Sequence, residues 1–252
     1  MGFNTEKFKR TELLLGKGAM DRLERSNITV IGLGAVGSHA IEALARSGVG
    51  TLRIVDFDEV GISNFNRQLL AVEPNVGRLK THAARERLLQ INPDMKVEVF
   101  NTLCHKETFD EVFENPTDVV VDAIDSLNPK VNILFELVQN GIPVVSSMGA
   151  ARRMDPTAIT TGDISQTLAC PLARSVRKRL RRMGVSSGIH TVYSTEIVEK
   201  TSVSQETEEN FFNSGRQRNP MGSLSMISGI FGYIAALEAM KIVLSLDDIF
   251  FI

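Results

Sequence analysis

A chain of 252 residues is long enough for one sizeable α/β core, or for one domain with a small appendage. With 43% hydrophobic residues, 23% charged residues and a formal net charge of −2, it has an ordinary globular composition. That excludes a whole-protein field drawing it onto nucleic acid, so any such contact must come from a local patch. Its two cysteines, Cys104 and Cys170, lie far apart and outside any CxxC pair, so they encode neither a disulfide framework nor a structural zinc site.

Met1 to Arg10 is polar and basic and does not read as a secretory signal. Asn27 to Ile31 is a short apolar run leading into Gly32-Leu33-Gly34-Ala35-Val36-Gly37. The apolar spacing of Ile41, Leu44 and Ala45 predicts a helix that stops at Gly48. Thr51 to Val55 reads as a second strand ending at Asp56, and Arg78 to Ile91 as a helix closed by Asn92-Pro93. Val97 to Phe100 and Asp118 to Val121 read as strands, the latter ending at Asp122. A helix over Val131 to Gln139 and a strand over Pro143 to Ser146 come next. Beyond Met148 the texture changes. Strands are expected at Ala158 to Thr161 and Thr191 to Ser194, a very basic helix at Pro171 to Met183, and a mobile polar loop at Thr201 to Pro220.

Leu224 to Leu246 predicts one last long helix. Its apolar stretch is interrupted by Glu238 and Lys241, so it reads as a buried helix and not as a membrane span. Ile230, Ile234, Leu237 and Met240 are read as core and dimer packing. Strands alternating with helices imply parallel crossovers. The expected fold is α/β: a doubly wound, mostly parallel Rossmann-like sheet with a C-terminal extension of strands and helices. The nucleotide-binding half covers residues 1–150. Residues 151–252 complete the same domain, and the expected compartment is the cytoplasm.

Gly32, Gly34 and Gly37 form G-x-G-x-x-G between a strand and a helix. The first permits a tight turn, the second a close phosphate, the third close packing of helix on strand. The helix start offers free N–H groups and a positive dipole end. Asp56 lies 19 residues beyond Gly37, where a carboxylate can bond a ribose diol. These residues alone suit a nicotinamide dinucleotide. The segment beyond Asp56 suits a nucleoside triphosphate better, because several phosphate charges must be neutralised and held. It supplies Asp58, Asn64, Arg67, Gln68 and Lys80, and Asp125 lies just past the fourth strand, where a carboxylate can hold magnesium.

On these residues the run from Arg10 to Ser147 resembles the superfamily of ubiquitin-activating enzymes, including the molybdopterin and thiamin sulfur-carrier adenylyltransferases. The matched pieces are the glycine motif, Asp56-x-Asp58-x-Val60-x-x-Ser63-Asn64-x-x-Arg67-Gln68, Val76-Gly77-x-x-Lys80, and Asp122-x-x-Asp125. The resemblance implies ATP and Mg2+ as cofactors. It implies Asp56 as ribose ligand and Asn64, Arg67, Gln68 and Lys80 as phosphate clamp, with Arg67 and Asp125 catalytic and Asp125 handling the metal. It also implies a homodimer in which Arg10 reaches the neighbouring subunit's triphosphate.

The zinc CxxC pairs of the carrier-activating members are missing. Gly162-Asp163-Ile164-Ser165, Pro171-Leu172-Ala173-Arg174 and Val192-Tyr193-Ser194-Thr195-Glu196 resemble the tRNA threonylcarbamoyladenosine dehydratases. That family adenylates the carboxylate of the modified adenosine, and the neighbouring carbamoyl group then displaces AMP and closes a ring. A tethered nucleophile needs no thioester, so Cys170 and Cys104 read as structural. Arg174, Arg177, Lys178, Arg179, Arg181 and Arg182 crowd nine residues of the basic helix, a fit to RNA phosphates to which Arg152 and Arg153 can add.

Three other readings stay open: an adenylyltransferase for a ubiquitin-like or sulfur-carrier protein, a nicotinamide-dependent oxidoreductase, and a binding module that has lost turnover. A sulfur-transfer or other accessory protein is a further possible partner. No membrane partner is expected.

Overall fold

The computed structural model describes residues 5–198 and 221–245; the expected loop at 201–220 lies outside the described residues. Two helices that no periodicity announces come first, α1 (Lys9–Leu15) and α2 (Lys17–Arg25), hinged at Gly16 with φ 81°. Next come β1 (Asn27–Ile31), α3 (Gly37–Arg46), β2 (Thr51–Val55), α4 (Lys80–Ile91), β3 (Lys96–Phe100), α5 (Phe109–Val112), β4 (Val119–Asp122) and α6 (Leu127–Gln139). The chain continues through β5 (Val144–Ser147), β6 (Ile159–Asp163), α7 (Pro171–Arg182), β7 (His190–Ser194) and α8 (Ser225–Leu244).

One seven-stranded sheet runs through both halves in the order β3-β2-β1-β4-β5-β7-β6. Among the described residues five neighbouring pairs are parallel, and β6 alone runs antiparallel, against β7. The doubly wound, mostly parallel sheet is therefore the one the alternation implies. Parallel strands buried on both faces read as continuous β-branched runs. In β4, Val119, Val120 and Val121 are all fully buried. Val119 and Val121 join the core shared with α3 and α8, whereas Val120 joins that of α6 and α7. Helices thus cover both faces, and the carboxyl ends of β1, β2 and β4 open side by side.

Two expected boundaries shift for physical reasons. α4 begins at Lys80 and not at Arg78, because Val60 N donates to Arg78 O (2.9 Å), Gly77 N donates to Val60 O (2.9 Å), and Glu59 bridges Leu79. That pairing needs extended backbone, which a helical turn cannot supply. α6 begins earlier, at Leu127, with Pro129 inside its first turn, where a missing N–H costs nothing.

By length and composition α8 could cross a membrane, yet Ile227, Phe231, Ala235 and Ala239 are buried within the core shared with α3 and the sheet. Met240 is also buried, while Leu237 is half exposed. Gly229 and Gly232 set the closeness of the α3–α8 crossing. A Cβ on Gly232 would stand 2.4 Å from Val36 O, and one on Gly229 3.3 Å from the His39 ring.

Candidate functional site

The glycine turn closes β1 and opens α3. Gly32 has φ 88°, a region that side chains avoid, and a Cβ there would also stand 2.9 Å from Ala123 O. A Cβ on Gly37 would overlap Gly32 O at 1.8 Å. Gly34 has open space apart from Gln68, whose Nε2 would lie 3.9 Å from its Cβ. The first and third glycines are therefore dictated by packing, and the second leaves room for a ligand. The contact of Gly32 with Ala123 brings the turns after β1 and β4 together. That is the switch point of the sheet, where strand order reverses and open α/β folds bind ligands.

Asp56 directly follows β2 and is 8% exposed. Its Oδ2 accepts from Leu33 N (2.6 Å) and its Oδ1 from Asp58 N (2.8 Å). Burial pushes its pKa up, against the lowering effect of the Lys80 charge and the two N–H bonds. Lys80, at the first position of α4, donates to Asp58 Oδ2 at 2.8 Å and is 4% exposed. Lys80 N also donates to Asp58 O (2.9 Å), so the strap holds both residues from backbone and side chain.

The segment 61–72 folds back over the glycine turn. Ser38 Oγ, in the first turn of α3, accepts from Leu69 N at 3.1 Å. Asn64 is partly spent on its own turn, since its Oδ1 accepts from Gly61 N (3.1 Å). Arg67 is half-buried and donates from Nη1 to Ser63 O (2.7 Å) and Asn66 Oδ1 (2.8 Å). Asn66 Nδ2 in turn donates to Ser223 O (3.1 Å), tying this segment to the approach of α8.

Asp125 is exposed on the turn after β4, where its Oδ1 accepts from Ser126 Oγ (3.3 Å). Beneath it lies a group that the sequence motifs do not reveal. Lys130, fully buried, donates to Asp122 Oδ2 (2.6 Å) and to Ile124 O (3.0 Å). Asp122 also accepts from Ser146 Oγ (2.6 Å) and Ile124 N (3.0 Å). The ammonium thus fastens both the carboxylate that ends β4 and the peptide just before Asp125. Its one signal in the sequence is a lysine inside an apolar helical run, beside Val131, Ile133 and Leu134. A buried charge of this kind survives only when paired.

Arg10 is exposed on α1, beside Leu13 and Leu14, which are 75% and 76% exposed. The basic helix divides into three roles. Arg174, Lys178, Arg181 and Arg182 are exposed. Arg177 turns inward and donates to Thr167 O (2.9 Å), Ile164 O (3.3 Å) and the Thr167 hydroxyl. Arg179 donates to the Asn128 side chain of α6.

The expectation that Arg153 adds to the basic patch fails. It is 2% exposed and donates to Glu196 O, while the Glu196 carboxylate accepts from Met154 N (3.0 Å) and Asp155 N (3.0 Å). Met183 is 39% exposed just past the end of α7. Both cysteines are buried. Burial and the nearby Asp122 charge push the Cys104 thiol up to about 12, and Cys170 Sγ accepts from Ala173 N at the start of α7. Among the described residues no group of three or more His, Cys, Asp or Glu side chains is placed to hold a metal ion.

The Bacillus subtilis tRNA threonylcarbamoyladenosine dehydratase is 38% identical over 229 residues, covering 90% of each chain. The Escherichia coli protein of that name is 34% identical, covering 94% of this chain and 92% of its own. The crystal structure of the E. coli tRNA N6-threonylcarbamoyladenosine dehydratase in complex with ATP superposes with a TM-score of 0.86. It covers 96% of this chain and 95% of the other at 32% identity. A Haemophilus influenzae molybdopterin-synthase adenylyltransferase is more distant, at 29% identity over 224 residues. The profile of the ThiF family matches residues 8–250, so the likeness takes in the basic helix and α8 as well as the glycine turn, and the chain belongs to the ThiF family.

Proposed function

We propose that this chain is an ATP-dependent dehydratase that adenylates the carboxylate of threonylcarbamoyladenosine in tRNA and promotes its cyclisation, with release of AMP. One observation carries the reading. The glycine turn, Asp56, Gln68 and Lys80 meet at the switch point of a chain that aligns nearly end to end with dehydratases of two bacteria.

The turn and the residues around it fit a nucleotide. Gly34 leaves its space open, and the start of α3 offers backbone N–H groups to phosphate. Asp56, its carboxylate fixed by two backbone donors, accepts from a ribose hydroxyl. Lys80 and Arg67 neutralise phosphate, with Asn64 and Gln68 as neutral donors. Asp125 would hold Mg2+, which would supply positive charge beside the phosphates. Lys130 and Asp122 keep the turn that carries Asp125 in place.

Bond making is balanced in two steps. A carboxylate oxygen of the substrate bonds to the α-phosphorus as the bond to pyrophosphate breaks. The tethered carbamoyl group then attacks the activated carbonyl, AMP leaves, and one proton is lost. The second step is intramolecular, so orientation supplies most of what it needs.

Residues 1–252 act on this reading as one adenylation domain. The enzyme works in the cytoplasm as a homodimer, Arg10 crosses to the partner's site, and a sulfur-transfer or accessory protein can assist. The exposed face of α7 meets tRNA through Arg174, Lys178, Arg181 and Arg182. Arg177 and Arg179 serve it by holding the helix in place.

The test is direct. The protein is incubated with ATP, Mg2+ and tRNA carrying threonylcarbamoyladenosine, and the nucleosides are weighed by mass spectrometry. A loss of one water with release of AMP is expected. Unchanged mass on fully modified tRNA would overturn the proposal, and ATP–pyrophosphate exchange dependent on a carrier protein with a Gly-Gly tail would replace it.

A further inference from the structure

Between α6 and α7 lies a solvent-open cleft of about 500 Å³, lined by Asn128, Val131, Asn132, Arg179, Arg182 and Met183. No acid is among these residues. Two guanidinium groups stand on one wall and two primary amides on the other, over an apolar floor of Val131 and Met183. Asn128 and Asn132 are one helical turn apart, so their side chains share the cleft face of α6. Asn128 is also three residues beyond Asp125, so one end of the cleft starts at the turn carrying that acid.

The two guanidiniums are not equivalent. Arg179 is engaged with Asn128 and ties the helices together. Arg182, in the last turn of α7, is exposed. Beyond it the outer stripe of Arg174, Lys178 and Arg181 continues the same charge along the helix. A positive wall suits phosphate, apolar atoms suit the face of a base or ribose, and amides offer both a donor and an acceptor to a base edge. Recognition of unpaired RNA uses this combination, whereas a duplex hides its base edges from it.

We infer that the α6–α7 cleft seats the single-stranded nucleotides flanking the target nucleoside, with Arg182 on a phosphate and Asn132 on a base edge. The inference rests on tRNA being the substrate and adds to that reading a path. The strand enters along the outer stripe of α7, passes through the cleft, and delivers its neighbour to the turn of Asp125. The outer stripe alone would give attraction without sequence preference. The amides give the seat a means of preferring one flanking base over another.

Arg182→Glu and Asn132→Asp test it, both at exposed positions where the fold has little to lose. With the full chain, ATP and modified tRNA, each variant should raise KM for tRNA about tenfold, since a phosphate or base-edge contact is replaced by repulsion. The rate at saturating tRNA and the KM for ATP should stay within about twofold of the unmutated chain. Arg182→Glu should also reduce the slope of log affinity against log salt by about 1, and Asn132→Asp should change the preference among substrates differing at the flanking base. A photoreactive base placed next to the target should cross-link to peptides from 127–139 or 171–183. Unaltered KM for tRNA in both variants, or cross-links only elsewhere, overturns the cleft while leaving the dehydratase reading intact. If the unmutated chain removes no water from modified tRNA, that reading itself has failed and the cleft falls with it.

Discussion

Lys80 and Asp58 form an ion pair at 2.8 Å with the lysine nearly buried. In the proposed site the lysine exchanges this carboxylate for phosphate when a nucleotide arrives. Arg67 has no carboxylate partner among its described contacts; its Nη1 is held by a carbonyl and an amide oxygen, which orient the guanidinium without neutralising it. In the proposed reaction Arg67 stabilises charge that appears only as pyrophosphate departs, and Asp125 would act through the Mg2+ it holds. Arg67→Ala and Asp125→Ala should each lower turnover on the order of 10²-fold or more. Single-turnover assays with saturating ATP and tRNA check this, and near-normal rates in both variants would dismiss the assignment.

Asp56 gives a pH dependence of defined sign. Burial raises its pKa above the ordinary 3.8, so folding disfavours its charged form. Protonation as pH falls through the raised value therefore relieves a cost of folding, the reverse of a salt-bridged carboxylate. In the proposed site it also removes an acceptor for ribose. ATP affinity should weaken on acidification, beginning above pH 3.8, and Asp56→Asn should bind ATP weakly with a flatter profile. Calorimetric titration between about pH 7.5 and about 4.5 tracks both, the window being set by the usual spread of carboxylate values. A steeper profile in the Asn variant would contradict the role.

Residue identity was legible where packing demanded a type at a spacing, as at Gly32 and Gly37. It was not legible where tertiary packing chose the partner. Nothing local distinguishes Arg177, turned into the Ile164–Thr167 turn, from Arg181, which faces solvent. Arg153 looked like one more surface cation until the loop ending at Glu196 enclosed it.

At the scale of elements, the strands were readable because a parallel sheet buries both faces and so demands apolar runs. Their ends were readable to within about two residues, the usual margin set by fraying and by pairing with neighbours. α1 and α2 were missed for a related reason. α1 has no buried residue, and α2 buries only Met20 and Leu23, so neither carries an apolar stripe long enough to stand out. α4 began late because the strap at Glu59 and Leu79 claimed residues that periodicity assigned to the helix.

The crossing of α8 on α3 makes the sharpest prediction at this scale. A Cβ at residue 232 would press within 2.4 Å of a backbone oxygen, which cannot rotate aside as a flexible side chain would. Gly232→Ala should cost about 1–3 kcal/mol of stability. It should also weaken ATP binding, because Val36 lies in the glycine turn itself. Thermal unfolding with and without ATP measures both effects. A destabilised protein with undiminished ATP affinity would show that the crossing supports the fold alone.

At the scale of the molecule, the sheet brings together residues from widely separated parts of the chain. Asp56 and Asp125 lie past the carboxyl ends of β2 and β4, on either side of β1. Arg10, in contrast, sits on α1 with Leu13 and Leu14 exposed beside it, an arrangement suited to a second copy. If Arg10 crosses between subunits, Arg10→Ala and Asp125→Ala are each inactive alone but complementary. Mixing them in equal amounts under exchange should restore roughly a quarter of the native sites, since half the dimers are mixed and each holds one intact site. No recovery, with exchange verified by mass, would place Arg10 outside the partner's site.

The close seat of α8 against α3 also has a consequence in time. The glycine turn emerges from the ribosome some two hundred residues before the helix that braces it. A nascent chain released before residue 225 would carry every residue of the proposed phosphate clamp and still lack the helix that packs against the turn. If the turn needs that helix, competence to hold ATP arrives only once α8 has docked.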